Sequence, residues 1–410
     1  METLTATYRI VTPMFIGDGH QHATSIRPPS IKGALRFWWR ALNWKRFIKD
    51  VDQATALRRL HEEEARLFGS AVREENGRQI GGQGKFLLSV DTTRLHTTNK
   101  NTVHPQFSKR DAARYLSYGL MEAFSSEKKG TQAGQLIRSC INENQEFTVH
   151  IRFRDTVESS LQDALILLGL LGGLGSRSRH GIGSIVLTHL YKIKENKREP
   201  CWTAPDSKES YQKMIQDILK DSLMVSQLPP YSAFSAQSRV DILLTQQTDP
   251  YSTLQNFAHS MLMYRSWGKD GKVLGQPSEK RFKSDHDWSK NIRPNNFHPR
   301  RVIFGLPHNY GKEKNQQVTS ETYERRASPL FFHVHQIGAE QFLGVSILLK
   351  SIFLPSTERI RVGEKKSKEG DNLVSQNIKW SIITDFLDGL DGADGVPNHP
   401  PRFPNKEKII

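Results

Sequence analysis

The chain has 410 residues, of which 36% are hydrophobic and 25% charged, a composition typical of a globular protein with two or three domains. Lys and Arg number 58 against 43 Asp and Glu, and the net charge of +15 favours nucleic acid, an anionic membrane surface or an acidic protein as partner. The two cysteines, Cys140 and Cys201, do not indicate a disulfide framework. The sequence shows neither the pattern of a signal peptide nor an apolar run long enough for a membrane span. We therefore expect a cytoplasmic protein that has no membrane-spanning segment.

The first predicted elements are a strand over residues 4–10, where apolar and polar residues alternate, and a helix that begins near Ile31 after the N-cap Ser30. On a helical wheel the apolar residues of this helix share one face, and Trp38 belongs to the core. The basic residues form a separate stripe with a spacing of four: Lys32, Arg36 and Arg40. Such a stripe is usually a solvated face, but Gly33 and the free amides of the first turn also suit phosphate binding.

The next elements complete a strand–helix–strand–strand–helix–strand order, the ferredoxin-like (RRM-like) arrangement. The alternation of Phe86, Leu88 and Val90 predicts the second strand, and an insertion over 91–145 with a predicted helix at 108–124 follows it. The strand 146–154 comes next, followed by a helix near 161–168 and a strand at 184–190. The strand 146–154 places His150, Arg152 and Arg154 on the open face of the sheet. No aromatic motif of the common RNA-recognition sheet is present, so base stacking on this sheet is not expected.

The second half is predicted to repeat this arrangement less regularly. The fold class is α+β, with two ferredoxin-like (βαββαβ) domains in tandem, over 1–192 and 231–390. A linker covers 193–230, an insertion 268–299, and a flexible tail 391–410. The second domain has predicted strands at 240–244, 300–307, 328–337 and 341–350, and predicted helices at 252–266 and within 372–390.

The most informative motif is the glycine loop, GGLGSRSRHGIGSI, at residues 172–185. Two Gly-x-Gly pairs, Gly173/Gly175 and Gly181/Gly183, enclose the basic residues Arg177, Arg179 and His180. Glycines allow positive φ and close backbone approach, while exposed amides and arginines bind phosphate. The alternative is a mobile turn. A P-loop and a dinucleotide fingerprint are excluded, since no Gly-Lys-Ser/Thr follows and the loop leads into a strand.

The glycine loop and the first-helix sequence PPSIKGALR together resemble the RAMP superfamily of CRISPR proteins. With YLSYG, FGLP and RRASPLFF, the chain resembles the branch formed by the first-numbered, two-domain RAMP subunits of type III-B (Cmr) effector complexes. The resemblance implies a non-catalytic subunit in antiviral defence, without cofactor or metal. It implies contacts with single-stranded guide and target RNA at the head end of the complex, and with other RAMP subunits.

These motifs and the resemblance select the following RNA-binding residues: Lys32, Gly33, Arg36, Arg40, Gly173, Gly175, Arg177, Arg179, His180, Gly181 and Gly183. Weaker candidates are His20, Arg27, Arg152, Arg325 and Arg326. We expect the basic stripe of the first helix to face an RNA backbone next to the glycine loop.

Two other functions stay open. Some RAMP relatives process guide RNA as metal-independent endoribonucleases, and His180 beside Arg179 has the chemistry of a general base with a cation. The mid-chain position of the glycine loop disfavours this alternative, because the repeat-cleaving relatives carry that loop near the C-terminus. A membrane-surface role for the basic helix is a third possibility. The pair His333/His335 and the sequence SDHDW at 284–288 lack the further ligands that a metal requires.

Overall fold

The structure is a computed structural model that describes residues 1–18, 22–23, 25–75, 78–195, 197–290, 297–310, 316–364, 372–389 and 402–410. The helices in these ranges are α1 (Pro28–Ile48), α2 (Gln53–Phe68), α3 (Pro105–Ser108), α4 (Asp111–Leu116), α5 (Ser159–Leu171), α6 (Lys208–Leu219), α7 (Pro250–Arg265), α8 (Lys283–Lys290) and α9 (Ser381–Asp388). The strands are β1 (Thr3–Ile10), β2 (Gly69–Glu75), β3 (Arg78–Gln83), β4 (Phe86–Asp91), β5 (Thr97–Thr98), β6 (Cys140–Ile141), β7 (Glu146–Phe153), β8 (Ile185–Lys194), β9 (Lys197–Thr203), β10 (Arg239–Gln247), β11 (Lys272–Val273), β12 (Gln276–Pro277), β13 (His308–Tyr310), β14 (Gln316–Ser320), β15 (Leu330–Ile337), β16 (Gln341–Leu348), β17 (Arg359–Glu364), β18 (Asn372–Ser375) and β19 (Glu407–Lys408). None of the described helices is long and apolar enough to cross a membrane.

The first sheet contains five antiparallel strands in the order β4-β7-β1-β8-β9. The alternation read from the sequence of β7 is present: Phe147, Val149 and Ile151 are buried, whereas Arg152 is exposed. Helices α1 and α5 pack together over the apolar face. Gly169 allows the close packing of α5 on β8, since a Cβ there would lie 2.5 Å from the Leu187 Cβ. The opposite face of the sheet holds polar residues of the strands, together with Leu87 and Ile193.

Helix α1 begins three residues earlier than predicted, at Pro28, so Ser30 lies inside the helix and is not its N-cap. Proline suits the first turn because its φ is already helical and its missing N–H would have no partner there. Trp39, expected at the border of the apolar face, is fully buried. Helix α2 closes that flank of α1, and its Phe68 ring lies 5.9 Å from the Trp39 ring.

The second sheet has four strands in the order β15-β16-β10-β19, and its last strand comes from the C-terminal segment. The prediction of a flexible tail is therefore wrong for residues 402–410. Phe403 and Ile409 are buried, and Arg402 forms an ion pair with Glu279. These apolar anchors dock the segment despite its polar composition.

A third sheet, in the order β13-β14-β17-β18, belongs to the second half. The strand predicted at 300–307 is wrong: Arg300–Phe304 is a 3-10 helix. Its start is held by the buried carboxylate of Asp285, which accepts bonds from the Arg300 and Arg301 amides at 2.8 and 3.1 Å. Within the helix predicted at 108–124 the helical residues are those of α4 and the last residue of α3. The helix predicted within 372–390 is β18 followed by α9.

The second sheet packs directly on the helices of the first half. The Phe331 ring of β15 lies 5.8 Å from Phe37 and 6.2 Å from Trp38 of α1. Tyr211 of α6 stacks on His335 at 4.2 Å and donates a hydrogen bond to the Leu170 carbonyl at 2.7 Å. The segment 193–230, predicted as a linker, thus contains β9 and α6, and α6 packs into a core that both halves share.

Candidate nucleic-acid interface

The glycine loop is fixed at both ends by main-chain hydrogen bonds. The Leu174 amide donates to the Gly183 carbonyl at 2.9 Å, and the Gly183 amide donates to Pro13 at 3.0 Å. The Ser176 amide donates to Phe15 at 2.8 Å. These bonds tie the loop to the segment that follows β1, so the structure does not show the mobile turn that was the alternative interpretation.

The glycines are needed for contacts within the protein. Gly175 has φ of +85°, and a Cβ there would lie 2.6 Å from the Phe15 carbonyl oxygen. Gly183 has φ of +69°, and a Cβ there would overlap the Leu174 carbonyl. The expected positive φ is present. The backbone that approaches these glycines closely belongs to the chain itself.

Arg177 is the loop arginine that is exposed. Its Nε and Nη2 donate to the Tyr118 carbonyl oxygen at 3.1 and 2.8 Å. Tyr118, in the insertion, is 70% exposed, so the guanidinium is oriented at the surface. A fixed, exposed guanidinium can bind a phosphate at a smaller entropic cost than a free side chain.

Arg179 and His180 point into the protein. The Arg179 guanidinium stacks on Phe331 at 4.2 Å and donates to the Ser328 carbonyl, and burial lowers its pKa to about 10. His180 Nδ1 lies 3.1 Å from the Leu116 carbonyl oxygen. Burial, and then nearby arginines, lower the pKa of His180 to about 4. Both side chains hold the glycine loop against other parts of the protein, where the sequence predicted contacts with RNA.

The structure adds cations from the second half that the sequence did not indicate. Burial lowers the pKa of His308 well below its usual value, and the charges of Arg265 and Arg301 lower it further. The charge of Arg265 also contributes to the low pKa of His180. Arg301 Nη1 donates to the Arg265 carbonyl at 3.0 Å, while its Nε contacts Asp285 at 3.0 Å. Arg265 is thus a cation beside the loop, whereas Arg301 is neutralised by the buried Asp285. The only signal in the sequence is the basic stretch around 298–308, more than 100 residues away.

The basic residues of α1 are largely paired. Arg36 and Arg40 each lie 3.6 Å from a carboxylate oxygen of Glu64 in α2, and Arg36 also donates to the Gly69 carbonyl. Lys32 is half-buried 5.5 Å from the centre of the Phe86 ring, and its pKa is lowered by burial and by the charge of Arg36. Gly33 is exposed, with open space where a Cβ would be. Lys32 and Gly33 are thus the members of this group that remain accessible. Lys32 has no ion pair among the described residues.

A cavity of about 410 Å³ lies beside these residues. Its lining includes Lys32, Gly33, Arg36, Phe68 and the hairpin backbone at 69–71 and 82–84. The cavity is open and mixed in character, with cationic, aromatic and main-chain surfaces. Lys32 and the main-chain groups of its lining can contact a phosphate.

The described contacts do not bring this cavity next to the glycine loop. On α1, Phe37 contacts the loop residue Arg179 at 5.4 Å, whereas Lys32 contacts Phe86. Five residues along a helix correspond to a rotation of about 140°, so the two side chains leave α1 on different flanks. The expectation of a basic stripe next to the loop is replaced by two separate basic areas.

The weaker candidates have different positions. Arg152 and Arg325 are exposed, and Arg27 is exposed with a long bond of 3.3 Å to the Gly17 carbonyl. Arg326 is half-buried and donates to the Phe353 carbonyl at 2.7 Å and to Ser351 at 2.9 Å, so its guanidinium is engaged inside the protein. His20 lies outside the described residues.

No group of three His, Cys, Asp or Glu side chains that can hold a metal occurs in the described ranges. His333 and His335 are buried and contact each other at 3.3 Å. Their pKa values are lowered by burial, that of His333 to about 3. The pair is part of the packing between the two halves.

Residues 7–186 match the family model of the RAMP superfamily. The chain is 24% identical over 376 residues to the CRISPR system Cmr subunit Cmr1-1 of Pyrococcus furiosus, covering 88% of this chain and 87% of that protein. The crystal structure of Cmr1 from Pyrococcus furiosus (apo form) is similar with a TM-score of 0.56 and 18% identity, over 100% of this chain and 99% of that one. A chain of the type III-B Cmr-beta complex bound to cognate target RNA matches at a TM-score of 0.48 and 13% identity, over 94% and 98%.

Proposed function

We propose that this chain, whose residues 7–186 match the family model of the RAMP superfamily, is a Cmr1-like subunit of a type III-B CRISPR effector complex that binds single-stranded RNA without cleaving it. The observation that carries the proposal is the similarity to a Cmr subunit along 88% of the chain, which includes both halves of the fold. The other subunits of the complex and its guide and target RNA are then the partners, in the cytoplasm.

We also propose that the chain is built from two ferredoxin-like units in tandem. The order β10, α7, β15, β16, α9, β19 corresponds to β1, α1, β4, β7, α5, β8. If the four strands of each unit are numbered along the chain, both sheets have the strand order 2-3-1-4. The second unit then extends to β19, beyond the limit predicted at 390, because its last strand lies in the C-terminal segment.

The RNA contact is assigned to the phosphate backbone. Arg177 is exposed and fixed at the glycine loop, and Lys32 belongs to a second cationic area. Contacts with phosphates are independent of sequence and weaken steeply with salt, because bound counterions are released. A subunit that holds RNA of any sequence needs this kind of contact.

The endoribonuclease alternative receives little support from His180. A general base works best when its pKa is near the operating pH, whereas burial and neighbouring cations lower the pKa of His180 to about 4. Its Nδ1 also contacts the Leu116 carbonyl. The imidazole therefore acts as a packing group at the glycine loop.

The test is RNA binding by the purified chain across a salt series, for the wild type, Arg177→Ala and a control. Arg359, which is paired with Glu321 at 2.9 Å in the third sheet, provides the control variant Arg359→Ala. We expect Arg177→Ala to weaken binding and to reduce the slope of log K against log salt by about 0.7, the value for one phosphate contact of a single strand. The control should bind like the wild type.

The same RNA is then run on a denaturing gel. Intact RNA agrees with the proposal, while cleavage that disappears in His180→Ala would establish the nuclease instead. Equal binding by wild type and Arg177→Ala would remove the glycine loop from the RNA site. Co-purification with the other Cmr subunits tests the assembly separately from RNA binding.

A further inference from the structure

The open face of the first sheet carries a cross-strand arrangement that the glycine loop and the α1 cavity do not involve. In the register of the sheet, Thr5 of β1 lies opposite His150 of β7 on one side and Tyr191 of β8 on the other. A neighbouring row places Arg152, Thr3 and Ile193 side by side. Apart from Thr5, which is 9% exposed, these side chains are half-buried or exposed.

Tyr191 is the centre of a flat, stacked group on this face. Its ring is nearly parallel to that of His189, with 7° between the planes and 6.0 Å between the centroids. The guanidinium of Arg198, from the edge strand β9, lies 3.6 Å from the centre of the Tyr191 ring. Because Arg198 is exposed and Tyr191 is half-buried, the guanidinium forms the outer layer of the stack.

The charge and chemistry of the face favour nucleic acid over protein. Among the described residues Arg152 and Arg198 have no carboxylate partner, whereas Arg9, near the other end of β1, is paired with Glu146 at 3.2 Å. Asp91 is the other acid on this face, at the far edge strand. Protein interfaces bury apolar side chains at their centre, whereas the apolar residues of this face, Leu87 and Ile193, lie on either side of a centre of threonine, histidine, tyrosine and arginine. Bases stack on aromatic rings and on arginine planes, and arginines also neutralise phosphates.

We propose that the open face of the first sheet is a second RNA surface, on which the Tyr191–Arg198 stack holds a base of a single strand while Arg152 contacts its backbone. This role rests on the RNA-binding function proposed above and adds a stacking contact to it. The sequence indicated no such contact, because the aromatic ring comes from β8 and the guanidinium from β9. The pattern of β7, which was the strand considered, supplies His150, Arg152 and Arg154, but neither member of this stack.

The test is fluorescence anisotropy of the full chain with a fluorescein-labelled 12-nucleotide oligouridylate at low salt. The variants are Tyr191→Ala, Tyr191→Phe and Arg198→Ala, with Tyr323→Ala as control because Tyr323 is 58% exposed in the second half. We expect Tyr191→Ala to weaken binding about tenfold, in the range measured for the loss of one base–aromatic stack. Tyr191→Phe keeps the ring and should bind within twofold of the wild type, and Arg198→Ala should weaken binding several-fold. Circular dichroism checks that each variant is folded.

The outcomes separate this inference from the general function. If the wild type binds and both alanine variants bind equally well, the sheet face is not an RNA surface, and the proposed function stands on Arg177 and Lys32. If the alanine variants keep RNA binding but lose association with other Cmr subunits, the face is a protein interface and the inference is overturned. If the wild type binds no RNA, both are overturned. If the double variant Tyr191→Ala/Arg177→Ala weakens RNA binding by the product of the two single effects, the sheet face and the glycine loop are separate contact areas.

Discussion

Replacing Gly175 by alanine tests whether the loop glycines serve the packing of the protein. At φ of +85° an L-residue costs about 1–2 kcal/mol. The new Cβ would lie 2.6 Å from the Phe15 carbonyl oxygen, so the backbone must move and part of the Ser176–Phe15 hydrogen bond is lost. Together these terms give a destabilisation of about 2–4 kcal/mol. For a chain of this length that corresponds to a fall in Tm of roughly 2–5 °C.

The matched control is Gly33→Ala, which places a methyl group in open space on the exposed side of the second turn of α1. Alanine is favoured over glycine in helices by up to about 1 kcal/mol, so the Tm should stay the same or rise slightly. Scanning calorimetry measures both variants. If Gly175→Ala melts with the wild type, the loop is not packed as described. If Gly33→Ala keeps its Tm but binds RNA more weakly, the absent side chain of Gly33 is needed for RNA approach.

Three further predictions concern stability. Trp39→Ala removes a fully buried ring and its 3.0 Å bond to Ser160, and we expect a loss of about 3–5 kcal/mol in urea unfolding; a loss below 1 kcal/mol would contradict the burial. Deleting residues 402–410 removes β19 and the Arg402–Glu279 contact, so the Tm should fall, whereas a truly flexible tail would leave it unchanged. Burial lowers the pKa of His333 to about 3, so below about pH 6.5 the unfolded state binds more protons than the folded state. The free energy of unfolding therefore falls as the pH decreases from about 6.5, by up to about 1.4 kcal/mol per pH unit. His333→Gln should flatten the profile of Tm against pH, and an unchanged profile would show that His333 is not responsible.

Much of the first half could be predicted from the sequence. The alternation of β1 and β7, the position of α5 and the buried Trp38 follow from local periodicity, which depends only on residues a few positions apart. The glycine loop was recognised for the same reason, since its spacing is contained in 14 residues. The resemblance to the RAMP superfamily depends on these local motifs, and the family match over residues 7–186 confirms it.

The tertiary structure decided how the basic residues are used. Arg36 and Arg40 pair with Glu64, and Arg179 stacks on Phe331, because the folded chain brings oppositely charged or aromatic partners from distant positions. No local pattern distinguishes these arginines from the exposed Arg177. The C-terminal strand was missed for a related reason: a two-residue strand has no periodicity of its own, and only its partner β10 orders it.

The sequence by itself thus determined the elements of the first unit, the glycine motif and the basic character of the chain, since each is a property of neighbouring residues or of composition. Only the tertiary structure decided which cations are exposed, that the second sheet packs on the helices of the first half, and that Tyr191 and Arg198 form one stack on the open sheet face. These features depend on contacts between strands and helices whose pairing is set by packing of the whole chain, and packing leaves no short pattern in the sequence.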